Sequence, residues 1–174
     1  MGRKKKHRNQ KINHRDAIHT IYGRVNPGSA ADYLMLKKRF LKMDEDWMVR
    51  NFKKGDQLLF NTKFIQEIKD THEELHCEIC GKENLKLYMW WEHSKRWDMA
   101  TADHFFPKSF DKERLSFERK NMIVACNDCN NRKADDFYGI HIVKHPYPGT
   151  IQNLAELQAE HNLRGLDDGR ELKV

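Results

Sequence analysis

The four cysteines of the chain fall into two pairs, Cys77-x-x-Cys80 and Cys126-x-x-Cys129. A two-residue spacer lets both thiolates of a pair turn toward one cation, and two such pairs complete a tetrahedral zinc shell. Between the pairs stands Ala102-Asp103-His104, a carboxylate beside an imidazole, and soon after the last cysteine come Asn130, Arg132 and Lys133. Zinc needs only the cysteines. The remaining residues are types that hydrolysis of a phosphodiester uses. A neutral imidazole accepts a proton from water near pH 7. An aspartate oxygen and an asparagine carbonyl suit a hard cation such as Mg²⁺ or Mn²⁺. Taken singly each residue has a plainer role: Asp103 can cap a turn, His104 can be an exposed loop residue, and Asn130 can cap a helix. Their joint placement, between the two zinc pairs and directly after the second, favours chemistry.

The elements that must hold these residues read as an α+β fold. Leu85–Trp91 and Asp98–Phe106 are aromatic and apolar enough for strands, with a polar turn from Glu92 to Arg96. Lys108–Lys120 is a charged loop, Asn121–Ala125 a short strand, and Asp128–Phe137 a helix. In a straight strand Asp103 and His104 would point to opposite faces. Before this centre, helices are predicted from Ala30, capped by Ser29, to Met43, from Asp44 toward Phe52, and over Asn61–His76. After it, Ile140–Val143 is strand-like, and Thr150 caps a helix over Ile151–Leu163. His141 and His145 invite a metal reading, but their context favours a structural or surface role. Trp90, Trp91 and Trp97 have the chemistry to stack on bases; in so small a core, packing is the simpler expectation.

The central pattern resembles the HNH endonucleases of the ββα-metal class. It is carried by Cys77-x-x-Cys80, then Asp103-His104-x-x-Pro107-x-Ser109, then Asn121-x-x-x-x-Cys126-x-x-Cys129-Asn130-x-x-Lys133. The nearer resemblance is to the branch with a four-cysteine structural zinc and Asn in place of the final His. It implies a zinc-pinned ββα core, with Asp103 and His104 at a strand end where the backbone bends. It also implies His104 as general base, Asn121 bracing its loop, and Asp103 and Asn130 holding a catalytic cation. Lys133 or Arg132 would meet the phosphate. Many relatives have glycines soon after the Pro-x-Ser segment, whereas Phe110-Asp111-Lys112 follows here.

Charge adds a partner. Residues 1–15 carry Arg3, Lys4, Lys5, Lys6, Arg8, Lys11 and Arg15 with no acid, so the excess charge of the chain, net +6, sits in this arm. Such an arm is either a solubilising end or a device that neutralises phosphates, and the second reading, which points to DNA or RNA, is favoured by the central residues. The expected organisation is a flexible basic arm (1–15), a helical segment (16–76), the zinc-bound core (77–138) and a helical extension (139–174). With no apolar run in the first twenty residues and none of membrane-spanning length, a reducing cytoplasm is expected, that of the host cell if the gene belongs to a phage. There the cysteines read as metal ligands rather than disulfides. The rival is a non-catalytic zinc-finger module that binds DNA or RNA, and it needs neither Asp103-His104 nor Asn130.

Overall fold

The computed structural model describes residues 30–51, 56–88, 96–137 and 139–163. The basic arm, Trp90, Trp91 and the tail beyond Leu163 lie outside them. Helices α1 (Ala30–Lys42), α2 (Glu45–Asn51) and α3 (Asp56–His72) come first. Strand β1 (Ala100–His104), the short helix α4 (Lys112–Leu115) and a 3₁₀ turn at Arg119–Asn121 follow. Strand β2 (Met122–Cys126) runs straight into helix α5 (Asn127–Lys133). A second 3₁₀ turn (Ile140–Ile142) and helix α6 (Thr150–Leu163) complete the order.

β1 and β2 pair antiparallel, with Ala100 opposite Cys126 and His104 opposite Met122. Every residue of β2 is buried, so both faces of this small sheet must be covered. Alternation divides the work between two cores. Met122 and Val124 join Met43, Met48, Leu59, Phe60 and Phe64 of the N-terminal segments. Ile123 turns the other way, to Phe105, Phe106, Leu115 and the α6 residues Leu154 and Leu157. The ββα unit is thus clasped between helices from the two ends of the chain.

Several sequence expectations are corrected. β1 pairs with β2, and the described part of the expected Leu85–Trp91 strand, residues 85–88, makes only the isolated bridges Leu75–Leu85 and Lys86–Met99. β1 and β2 are the buried pair, whereas Lys86 and Tyr88 turn their side chains to the carboxylate of Asp98. Ile140–Ile142 winds into a 3₁₀ turn after Gly139, whose φ of 77° bends the chain there. α3 begins at Asp56, whose carboxylate takes the Arg39 guanidinium, and ends at His72, where Glu73 turns left-handed at φ 58°. The charged loop 108–120 holds α4 and is tied to its surroundings: Arg119 pairs with Glu67 of α3, Arg114 with Glu160 of α6, and Lys120 with Glu156 of α6. Trp97 is 76% exposed, so it does not pack in the core.

Candidate metal and hydrolytic sites

The four cysteine sulfurs lie within 4.8 Å of one another. Cys80 Sγ and Cys126 Sγ are 3.9 Å apart, far beyond the ~2.05 Å of a disulfide. They match the ~3.8 Å edge of a tetrahedron built on Zn–S bonds of ~2.3 Å. Burial pushes the Cys77 thiol up, and burial with the neighbouring Cys77 pushes Cys129 up further. Four thiolates crowded together this way need a divalent cation among them. The donor set therefore fits structural zinc, closed on all four sides.

Glu78, inside the first cysteine pair, was not singled out from the sequence, yet it ties three segments together. It is 1% exposed. Its carboxylate accepts from Val124 N at 2.6 Å, Tyr147 N at 3.1 Å and Thr150 Oγ1 at 2.6 Å. Its backbone N–H donates to Val124 O, and its carbonyl accepts from Lys144 N and His145 N. Glu78 thereby covers the outer edge of β2 and fastens the start of α6 to the zinc loop. Burial raises its pKa and these donors oppose the rise. The only sequence signal was an acid among cysteines, which also occurs on solvated loops.

At the far end of the ladder stand Asp103 and His104, four strand residues or ~13 Å from Ala100 and its partner Cys126. His104 is 7% exposed. Its Nε2 lies 3.1 Å from Ser116 O. A carbonyl only accepts, so Nε2 carries the proton and Nδ1 is the basic nitrogen. Burial, followed by the charge of Lys108, holds the pKa of His104 down to about 4, and the imidazole is neutral at pH 7. Asp103 is pushed up to about 6 by burial, against the pull of Lys133. Its Oδ2 is buried without a hydrogen-bond partner, an anionic oxygen left over for a cation. Asn130, on α5, donates through Nδ2 to Thr101 Oγ1 at 3.0 Å and to Ala102 O at 3.4 Å. With Nδ2 engaged in those bonds, the Asn130 carbonyl oxygen is the atom that could serve as a ligand. Two oxygen donors of this kind fit a hard divalent cation with open positions for water and phosphate.

Asn121 is fully buried and spends its side chain on the loop after His104. Oδ1 accepts from Phe106 N at 2.7 Å, and Nδ2 donates to Phe106 O at 3.0 Å and Leu115 O at 3.1 Å. The same loop carries Ser116, whose carbonyl holds the imidazole.

The two basic residues of α5 part company. Lys133, expected at the phosphate, is turned inward: its Nζ donates to His104 O at 2.7 Å and lies 3.4 Å from Asp103 Oδ1. A buried carboxylate needs a counter-charge, and Lys133 lies one turn beyond Asn130 on the side of α5 that meets β1. Arg132 is exposed and donates to Cys129 Sγ at 3.5 Å, beside the thiolates. Lys108 instead places its charge near both Asp103 and His104. His141 and His145 line an open pocket of about 570 Å³ with Cys80, Cys129, Arg132 and Lys144. Arg3, Lys4, Lys5 and Lys6 lie outside the described residues.

The family model for HNH endonuclease matches residues 77–136, from the first zinc cysteine to just past α5. This stretch is similar to HNH endonuclease domains. It covers about a third of the chain, and the flanking helices lie beyond it. No curated protein and no solved structure matches the chain significantly. The matched stretch thus unites the four-cysteine cluster with Asp103, His104, Asn121 and Asn130 in one unit, and the family it resembles is one of nucleases. Among the described residues no helix is long and apolar enough to cross a membrane.

Proposed function

We propose that the HNH-like domain is a metal-dependent endonuclease that hydrolyses DNA phosphodiester bonds. The observation that carries the reading is the pairing, at one strand end, of a buried neutral imidazole with a carboxylate that has an unpartnered oxygen. Asp103 Oδ2 and the Asn130 carbonyl would hold Mg²⁺ or Mn²⁺, and such a cation supplies positive charge to the phosphate and to the departing oxygen. His104 Nδ1 takes the proton of the attacking water, while Ser116 O keeps Nε2 protonated and the ring aligned. Lys133 stabilises the carboxylate form of Asp103 and fixes the carbonyl of His104. Asn121 braces the loop between them. Lys108 and Arg132 are the basic side chains of this domain offered to phosphates, and the arm 1–15 adds sequence-independent attraction to DNA.

The decisive assay follows cleavage of supercoiled plasmid by the zinc-loaded protein with and without added Mg²⁺. His104→Ala should lower the rate by about 10²–10⁴-fold, the usual cost of losing a general base, with zinc content and melting unchanged. Cleavage by His104→Ala at the wild-type rate would remove His104 from the mechanism. DNA binding without cleavage under any divalent cation would favour the non-catalytic zinc-finger reading.

A further inference from the structure

We propose that Trp97 is a stacking platform for an unpaired or extruded base of the DNA substrate, a reading that rests on the nuclease function above. The indole is 76% exposed, more than any other large apolar side chain among the described residues. Its surroundings hold it in place rather than hide it. Met99 N donates to Arg96 O at 3.2 Å, so Trp97 sits in a tight turn directly ahead of β1. Lys82 Nζ donates to Trp97 O at 2.9 Å and stands 5.3 Å from the ring centroid, within cation–π range. The next residue, Asp98, is buried, and its carboxylate accepts from Tyr88 Oη at 3.0 Å and pairs with Lys86 Nζ at 3.3 Å. The turn that carries Trp97 is anchored on both sides, and its aromatic ring is presented to solvent beside one cation.

The neighbours identify the ligand. Among the described residues the ring meets the Lys82 ammonium, while on the flanking residues Lys86 pairs with Asp98 and Arg96 lies over Tyr88 at 4.4 Å. Aromatic faces interleaved with cations are the chemistry of single-stranded nucleic acid recognition, where each stacked base contributes and every base qualifies. Paired bases inside a duplex are already stacked on their neighbours and offer no free face. Trp97 therefore selects a base that has left the helix. The chain from Trp97 to His104 spans at most ~23 Å at ~3.3 Å per residue, so that base lies within about seven nucleotides of the cut at ~3.4 Å each.

The test measures equilibrium binding of the full-length zinc-loaded protein, without added divalent cation, to two labelled probes. One is a blunt DNA duplex, the other the same duplex with one extrahelical adenine. The wild type should prefer the bulged probe. Trp97→Ala should reduce that preference by about five- to 150-fold, and Trp97→Phe should keep most of it. A wild type without preference, or a preference that Trp97→Ala leaves unchanged, overturns the proposal. His104→Ala separates the two readings, because its binding preference should equal that of the wild type. A Trp97-dependent preference in a protein that never cuts would sink the nuclease function and leave the platform standing.

Discussion

The HNH-like domain has two polar centres on one strand pair, and they are built on opposite principles. At the Ala100–Cys126 end, four soft sulfur donors close on a single point, and Glu78 locks the surrounding backbone with six hydrogen-bonding connections to β2, residues 144–147 and Thr150. Toward the His104–Met122 end, Asp103 and, on the neighbouring helix, Asn130 offer hard oxygens, and one Asp103 carboxylate oxygen has no hydrogen-bond partner. The first centre exhausts its valences in holding the fold. The second keeps its chemistry unspent, and Lys133, Ser116 and Asn121 hold it in that state. α5 serves both, with Cys129 facing the thiolates and Asn130 and Lys133 facing β1.

If the first centre is structural, its loss should have the largest effect. Cys77→Ser or Cys129→Ser should abolish zinc binding and, with it, the cooperative melt of the central domain, since a structural zinc of this type contributes about 10–16 kcal/mol. Elemental analysis should find one zinc per chain in the wild type. A variant that melts like the wild type without zinc would dissolve the contrast between the centres.

Lys133→Met probes the support of the second centre. At pH 8 it should cost about 3–5 kcal/mol in urea unfolding, because Asp103 is left as a buried charge without its cation. At pH 5 most of that cost should vanish, since Asp103 is then largely protonated. Equal losses at both pH values would mean that the ion pair with Asp103 is not what Lys133 contributes. Zinc content should stay constant throughout.

The smallest effect is a titration. Burial pushes Asp103 up to about 6 in the folded protein against an ordinary 3.8, so protons would compete with the proposed cation below about pH 6. The Mg²⁺ concentration needed for half-maximal cleavage should rise about tenfold per pH unit there, while zinc stays bound. A flat Mg²⁺ requirement between pH 7 and pH 5 would argue against Asp103 as a ligand. In the protein without Mg²⁺ the two neighbours act oppositely on stability. The contribution of Asp103 is complete below about 3.8 and lost as pH rises through about 6. That of His104 is complete above about 6.5 and lost as pH falls toward about 4. Between about pH 4 and 6 they offset, and the melting temperature should change little from this pair.

Short-range spacing was readable in the sequence itself. The cysteine pairs set a four-sulfur cluster, because two residues between thiols is a local geometric condition that survives in many folds. α1 and α6 could be placed nearly to the residue, α6 with the help of Leu154 and Leu157 on one face, since i to i+4 contacts lie within one helix. The α+β class followed from the same local patterns. What tertiary structure alone decided were the partnerships between distant segments. β1 took β2, twenty residues away, while residues 85–88 made only isolated bridges, because pairing follows from which apolar faces two helical layers can cover. Lys133 and Arg132 are adjacent and equally basic, yet one is buried against Asp103 and the other faces solvent beside Cys129, a difference set by the rotation of α5 on β1. Trp97 came out of the core and Glu78 went into it. Residue type records what a side chain can do; burial and hydrogen-bond partners, which depend on the whole chain, decide whether it does it in the interior or in water.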